Sequence, residues 1–154
     1  MNIQIRKATV ADAELVISFL KKLAEFENLS ECCNISKESL IKLMTEENGL
    51  NVLFAEADSV PVGFMAYYFY KIATFSGKRV MYIEDVFIEE NMRRSGIGGE
   101  LFDMAKKIAA ENNCARLEWK CLDWNTSAQK FYSKIGGVPS TDEWITYTIE
   151  SNDF

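Results

Sequence analysis

The chain contains no histidine. That removes the commonest metal ligand and the side chain that most easily moves protons near neutral pH. The four cysteines, Cys32, Cys33, Cys114 and Cys121, make no C-x-x-C pair, so neither a zinc site nor a dithiol redox centre is expected. With only two prolines and eight glycines there is no linker, low-complexity tract or internal repeat. No apolar run approaches the ~20 residues of a membrane-spanning helix, and the opening residues lack the apolar core of a secretion signal. Positive charge is in short supply: 17 Lys and Arg against 23 Asp and Glu leave a net charge of −6. A surface of that sign repels a phosphate backbone and attracts small cations. The expectation is a reduced, cytoplasmic protein with no metal, nucleic-acid or membrane partner.

What is present points to a packed enzyme-sized fold. The 154 residues, 48% of them hydrophobic, suit a single domain spanning 1–154. Ile3 and Ile5 alternate with polar neighbours as a short strand. Thr9 then caps a helix whose apolar stripe is Ala13, Val16, Ile17, Leu20 and Leu23, and which ends near Phe26-Glu27-Asn28. A second helix is expected from Ser36 to about Glu47, with Leu40, Leu43 and Met44 facing inward. Two strands about Asp58-Ser59 read as a hairpin, and a turn at Ser76-Gly77 leads into the strand Val80 to Ile88. Another helix follows, then an alternating strand from Arg116 to Leu122. A helix begins at Asn125-Thr126-Ser127 and stops at Gly136-Gly137, and a last alternating stretch, Trp144 to Ile149, closes the sheet. The expected class is a mixed α/β (α+β) sheet, predominantly antiparallel, with helices on both faces.

The rest of the chain is organised around Met92-Arg93-Arg94-Ser95-Gly96-Ile97-Gly98-Gly99-Glu100-Leu101. Gly96, Gly98 and Gly99 lie between a strand and a helix carrying Ile97, Leu101, Ala105 and Ile108 on one face. Backbone N–H groups bare of side chains, added to the helix dipole, favour an anion at the helix start. Arg93 and Arg94 add charge beside it. A phosphate-activating P-loop would need Lys-Ser or Lys-Thr after the glycines, and none is there. A dinucleotide fingerprint would need glycine where Leu101 stands. A glycine-rich turn with no ligand remains open at this point.

Downstream, Asp123-Trp124-Asn125-Thr126-Ser127-Ala128-Gln129-Lys130-Phe131-Tyr132 repeats the arrangement, an Asn at a strand-to-helix junction followed by Ala and a Phe-Tyr pair. Arg93-x-x-Gly96-x-Gly98 together with this second motif resembles the GNAT superfamily of N-acetyltransferases. With Tyr82-Ile83-Glu84-Asp85 and Phe26-Glu27 added, the likeness is to its spermidine/spermine group, thialysine-acetylating relatives included, over essentially the whole chain. The resemblance implies a GNAT-like acyl-CoA N-acyltransferase fold, acetyl-CoA as co-substrate, a small cationic amine as acceptor and a homodimer. Asp123 matches the thialysine-type members, where polyamine-type members carry Glu. Phe26 stands where the family has tyrosine.

The resemblance also assigns roles. Arg93, Arg94, Ser95, Gly96, Ile97, Gly98 and Gly99 would hold the pyrophosphate. Val86, Phe87 and Ile88 would offer backbone groups to the pantetheine arm, helped by Asn125, Ser127 and Ala128. Tyr132 would be the general acid for the departing thiolate, although spacing alone favours a core tyrosine. Glu84 would be the substrate-side carboxylate, and an acid in so apolar a strand calls for a cationic partner in any case. Strand alternation puts Asp85 on the opposite face from Glu84, so only one of them should face a given pocket. Phe26, Glu27, Asp85 and Asp123 complete the candidates for substrate contact; Glu27 and Asp123 read equally as ordinary surface acids. The leading expectation is direct N-acetylation of a diamine or polyamine. The alternatives are a lysine-like amino acid such as thialysine, a protein amine, or a CoA-sensing module without turnover.

Overall fold

The computed structural model describes residues 1–140 and 143–154, the side chain of Lys71 excepted. By its internal contacts the chain divides into two compact units, Met1–Lys120 and Cys121–Phe154.

The first unit holds one sheet in the order β1-β2-β3-β4-β5. Strand β1 (Ile3–Lys7) leads through Thr9 into helix α1 (Ala13–Phe26), and α2 spans Lys37–Thr45. Thr9 N–H donates to Asp12 Oδ2 at 2.8 Å, half of the expected cap. Ser36 caps α2 by accepting from Ser39 N–H at 3.0 Å. Strands β2 (Asn51–Ala57) and β3 (Val60–Ala73) form the expected hairpin. Asp58 and Ser59 both take left-handed backbone, φ 48° and 68°, the two-residue turn that matches the strands' own twist. Gly77 (φ 68°) turns the chain into β4 (Lys78–Ile88). Strands β1 to β4 are antiparallel, while β5 (Cys114–Trp119) runs parallel to β4 after helix α3 (Ile97–Glu111). The mixed, mostly antiparallel sheet is therefore as expected.

Alternation along the strands sorts the core. Val52, Phe54, Phe64 and Ala66 face α1, where Phe19 sits 5.8 Å from the Phe54 ring and 5.5 Å from that of Phe64. Phe19 was not in the expected stripe, yet it is the aromatic centre of this layer, whereas Ile17 and Leu20 are only partly buried. Leu43 of α2 is 44% exposed, so that helix buries chiefly Leu40. The intervening residues Leu53, Tyr67 and Phe69 face the other way, where with Met104 and Ile108 of α3 they line a cavity of about 370 Å³. Helices therefore cover both faces.

In the second unit, α4 (Thr126–Lys134) is capped by Asn125 and stopped at Gly136, φ 94°. Residues 144–149, expected as a closing strand, carry no regular element; Trp144, Ile145, Tyr147 and Ile149 are all exposed. Alternation makes a stretch competent for a strand, but a ladder partner decides whether one forms.

Candidate active site

Two irregularities in the first unit create the site. The first is a splay. Strand β4 pairs with β5 only from Arg79 to Ile83, the last rung being Ile83 opposite Trp119. Beyond it, β4 keeps its β3 partners through Val86, Phe87 and Ile88 but has no β5 partner. Backbone groups on that side of β4 are open to an extended ligand, as an added strand would use them.

The second is a bulge. Ala66 lies opposite Asp85, but its neighbour Tyr67 lies opposite Ile83, so Glu84 is the extra residue. This overturns the expectation that Glu84 and Asp85 point to opposite faces. Ala66 and Tyr68, two residues apart, share a face, and so do their partners Asp85 and Tyr82. The Glu84 carboxylate joins them, because the Tyr68 hydroxyl donates to Glu84 Oε2 at 2.8 Å. Tyr70, itself a bulged residue, packs its ring 5.2 Å from that of Tyr82, and Tyr82 lies 5.5 Å from Tyr68.

The electrostatics of this patch are one-sided. Burial, then the neighbouring charges of Glu84 and Glu27, push Asp85 up from the ordinary carboxylate range to about 7. Burial also raises Glu27, at the end of α1. Tyr68 and Tyr82 are raised too, by burial first and then by Glu84. Among the described residues, neither Asp85 nor Glu27 has a hydrogen-bonding or ionic partner. Carboxylates gathered this way without a cation are costly, and a bound cation would offset that cost. Sequence reasoning named the three acids and had Tyr82 in a quoted motif, but gave no place to Tyr68 and Tyr70. Only the aromatic run Tyr67-Tyr68-Phe69-Tyr70 hinted at them, and it reads as ordinary strand composition.

At the head of α3 the expected glycine turn is formed. Gly96 is the N-cap, with left-handed backbone (φ 91°) and no side-chain cap. The first bond of the helix runs from Glu100 N–H to Gly96 O at 3.2 Å, which leaves the N–H groups of Ile97, Gly98 and Gly99 ahead of the ladder. A Cβ at Gly96 or Gly99 would meet nothing within 4 Å, so the space over these amides is open to an anion. Arg94 is exposed and also left-handed, φ 64°. Ser95 Oγ is turned inward to the Met92 carbonyl.

Arg93 is placed differently from the expectation that it grips phosphate beside Arg94. Its Nε donates to the Ile88 carbonyl at 3.0 Å, and its guanidinium stacks 4.7 Å from the Phe26 ring and 5.6 Å from that of Phe87. Arg93 and Phe26 thus tie the end of α1 to the end of β4, which holds Glu27 and the acids of β4 in one region.

In the second unit, Asn125 Oδ1 accepts from Ala128 N–H at 3.1 Å, so its side chain is used as the helix cap. Tyr132 is half-buried on α4 beside Phe131, ring centroids 5.5 Å apart, while Asp123 and Ser127 are exposed.

A glycine-opened helix following a splayed strand is a recurrent design, and comparison with known proteins identifies it. Residues 19–137 match the acetyltransferase (GNAT) family. The chain belongs to this family. Thialysine N-epsilon-acetyltransferase of Bos taurus is 30% identical over 96% of this chain and 92% of that protein. The Caenorhabditis elegans protein of the same name is 30% identical over 97% and 92%. A human spermidine/spermine N(1)-acetyltransferase-like protein is 27% identical over 91% of this chain, but the match spans only 21% of that longer protein. Among solved structures, an aminoglycoside acetyltransferase from a soil metagenomic sample superposes with TM-score 0.77 at 23% identity, covering 96% and 97% of the two chains. A ribosomal-protein-alanine N-acetyltransferase from Brucella melitensis biovar Abortus 2308 superposes with TM-score 0.74 at 19% identity, over 97% and 99%. Those last two share the fold while their names give unrelated amines, so the fold does not choose the acceptor. The present chain is a GNAT N-acetyltransferase, and GNAT acetyltransferases generally draw on acetyl-CoA.

Proposed function

We propose that this GNAT enzyme transfers acetyl from acetyl-CoA to a primary amine of a small cation. The observation that carries the reading is the cluster of Glu27, Glu84 and Asp85, which has aromatic neighbours and, among the described residues, no cation of its own. Diamines and polyamines fit such a cluster. The thialysine acetyltransferases that align over nearly the whole chain favour a lysine-like amino acid as the acceptor to try first.

Acetyl-CoA would supply the activated acetyl group as a thioester. The amides of Ile97, Gly98 and Gly99, with Arg94 nearby, suit its pyrophosphate. The open side of β4 at Val86, Phe87 and Ile88 suits its pantetheine arm, although the Ile88 carbonyl is already taken by Arg93. Tyr132 is the proposed proton donor to the departing sulfur, on the strength of the motif around it. A phenol of pKa about 10 facing a thiolate of pKa about 8.5 gives a transfer uphill by only ~2 kcal/mol. Tyr132→Phe should then lower turnover by roughly 10²–10⁴ with cofactor affinity nearly unchanged.

Removing a proton from the amine is the harder step. Handing it from an alkylammonium near pKa 10.4 to a carboxylate near 4.3 is uphill by ~8 kcal/mol; an acceptor near 7 reduces this to ~5 kcal/mol.

A thiol-release assay with acetyl-CoA against diamines, polyamines, lysine analogues and peptides tests the reading. Release confined to small cations is the expected result. Acetyl-CoA binding with no release from any amine would mean a sensing module instead. A homodimer belongs to the same proposal, on family likeness, and light scattering checks it.

A further inference from the structure

The cavity of about 370 Å³ lies on the α3 face of the sheet, where the proposed acetyl transfer makes no use of it. Ala66 and Tyr68, beside the acid patch, face α1, whereas Tyr67 and Phe69 face α3, so patch and cavity are on opposite sides of β3. Glu111, at the cavity's rim, is also roughly 20 Å along the helix axis from Gly98. Wall and rim differ in kind. Leu53, Phe69, Met104 and Ile108 make an apolar wall, while Lys7 and Glu111, both exposed, put one charge of each sign at the rim. Among the described residues neither makes an ion pair. Glu111 ends α3 with no basic residue in the last turn, so its charge and the helix dipole act together on any cation there.

Tyr67 is the deepest polar group of the lining, 3% exposed, and its hydroxyl has no hydrogen-bond partner among the described residues. None of the buried side-chain oxygens among these residues is sealed off without a partner, so the hydroxyl opens onto space, and the cavity is the space that Tyr67 lines. Burial pushes this phenol above its ordinary value, which keeps it a donor at neutral pH. A donor left so is costly, and a ligand acceptor removes the cost.

We propose that this cavity binds an α-amino acid with an apolar side chain. The carboxylate pairs with Lys7 and accepts from the Tyr67 hydroxyl, the ammonium pairs with Glu111 at the negative end of α3, and the side chain lies on the apolar wall. Strands β1 and β3 flank β2, which sets Lys7 and Tyr67 roughly 10 Å apart at the backbone, within joint reach of one carboxylate. The volume falls within the ~300–1,000 Å³ of small-molecule pockets. A simple carboxylic acid meets Glu111 as well as Lys7, and a simple amine meets Lys7 as well as Glu111, so a rim of both signs selects the zwitterion over either. A lysine-like amino acid is disfavoured, because its second ammonium finds no second acid in the lining.

The test is isothermal calorimetry of the intact protein, without acetyl-CoA, against L-phenylalanine, L-leucine, L-lysine, 3-phenylpropionate and phenethylamine. L-Phenylalanine or L-leucine should bind, and the deaminated and decarboxylated analogues should bind about tenfold more weakly or worse. Lys7→Ala should weaken the amino acid about tenfold and Tyr67→Phe about threefold. The free Tyr67→Phe protein should melt no lower than the parent, since an unpaired hydroxyl is gone; a lower melting temperature means the hydroxyl was already satisfied and counts against the proposal. Ile108→Trp fills the cavity and should abolish binding; where its melting temperature shows that it does not fold, Lys7→Ala decides. A saturating diamine should leave the amino acid bound, and displacement by it overturns the site. No heat from either apolar amino acid at millimolar concentration also overturns it and leaves a wet cavity only. Equal binding of 3-phenylpropionate or phenethylamine overturns the zwitterion assignment, and affinity unchanged in both Lys7→Ala and Tyr67→Phe puts the ligand elsewhere. Turnover plays no part in these readings, so a protein that acetylates nothing would refute the proposed function and leave this result standing.

Discussion

Two acid clusters sit on the same sheet and have opposite electrostatic fates. Near β1, Asp12 and Glu56 share Arg6, whose guanidinium makes two 3.0 Å bonds to Asp12 and a third to Glu56. Hydrogen bonds from Arg6 hold Asp12 below the ordinary carboxylate range. At β4, Glu84 and Asp85, with Glu27 from the end of α1, have no such cation among the described residues, and Asp85 is held well above that range. Both clusters contain acids in half-buried positions, so composition does not distinguish them. The difference is whether the fold supplies the counter-charge. Where it does, the acids brace the structure; where it does not, the proposed function has the substrate bring the missing charge.

The comparison can be broken most forcefully at Arg6. Arg6→Ala strands two carboxylates and should cost ~2–3 kcal/mol of stability in a urea titration, discounted for the partly exposed arginine. Activity per folded molecule should not change. A loss near zero would mean that pairing is not what separates the clusters.

The opposite change on β4 should have the opposite sign. Asp85 has its folded pKa raised to about 7 from an ordinary 3.8, so the folded protein binds more protons between those pH values. Stability therefore falls as pH rises through that window. Asp85→Asn should stabilise the ligand-free protein at pH 8 by ~1–2 kcal/mol, and the gain should disappear by about pH 4. Asp12, with its pKa depressed by Arg6, contributes in the reverse sense. Its share is present above the ordinary value and is lost as pH falls through the folded one. Asp12→Asn should accordingly destabilise at pH 7 by ~1–2 kcal/mol and be nearly silent at pH 2.

The smallest effect should come from salt. If the β4 cluster attracts a cationic amine through space, KM should rise by ~2–5-fold between 50 and 500 mM NaCl, with kcat steady. A KM indifferent to salt would point to contact geometry instead of net charge.

Much of this was legible in the residues. The glycine turn was legible because Gly96, Gly98 and Gly99 leave amides bare where a helix starts, a local effect that needs no tertiary partner. The Asp58-Ser59 hairpin, the Gly77 turn and the Asn125 cap were equally local. The expectations that failed depended on neighbours. Phe19, outside the expected stripe, took the centre of the core because Phe54 and Phe64 from two strands converge on it, while Ile17 and Leu20 pack at its edge. Arg93, expected at the pyrophosphate, gained partners that no spacing announced: Phe26, Phe87 and the Ile88 carbonyl.

By itself, then, the sequence determined most of the elements, their order, the glycine turn that opens α3 and the family to which the chain belongs. Each of those follows from short-range backbone preference and side-chain period. Only the tertiary structure decided which acids act together. A one-residue bulge opposite Ala66 and Tyr67 turned Glu84 and Asp85 onto one face, and the end of α1 added Glu27. Register between strands is a long-range property, and no periodicity within β4 encodes the skipped residue.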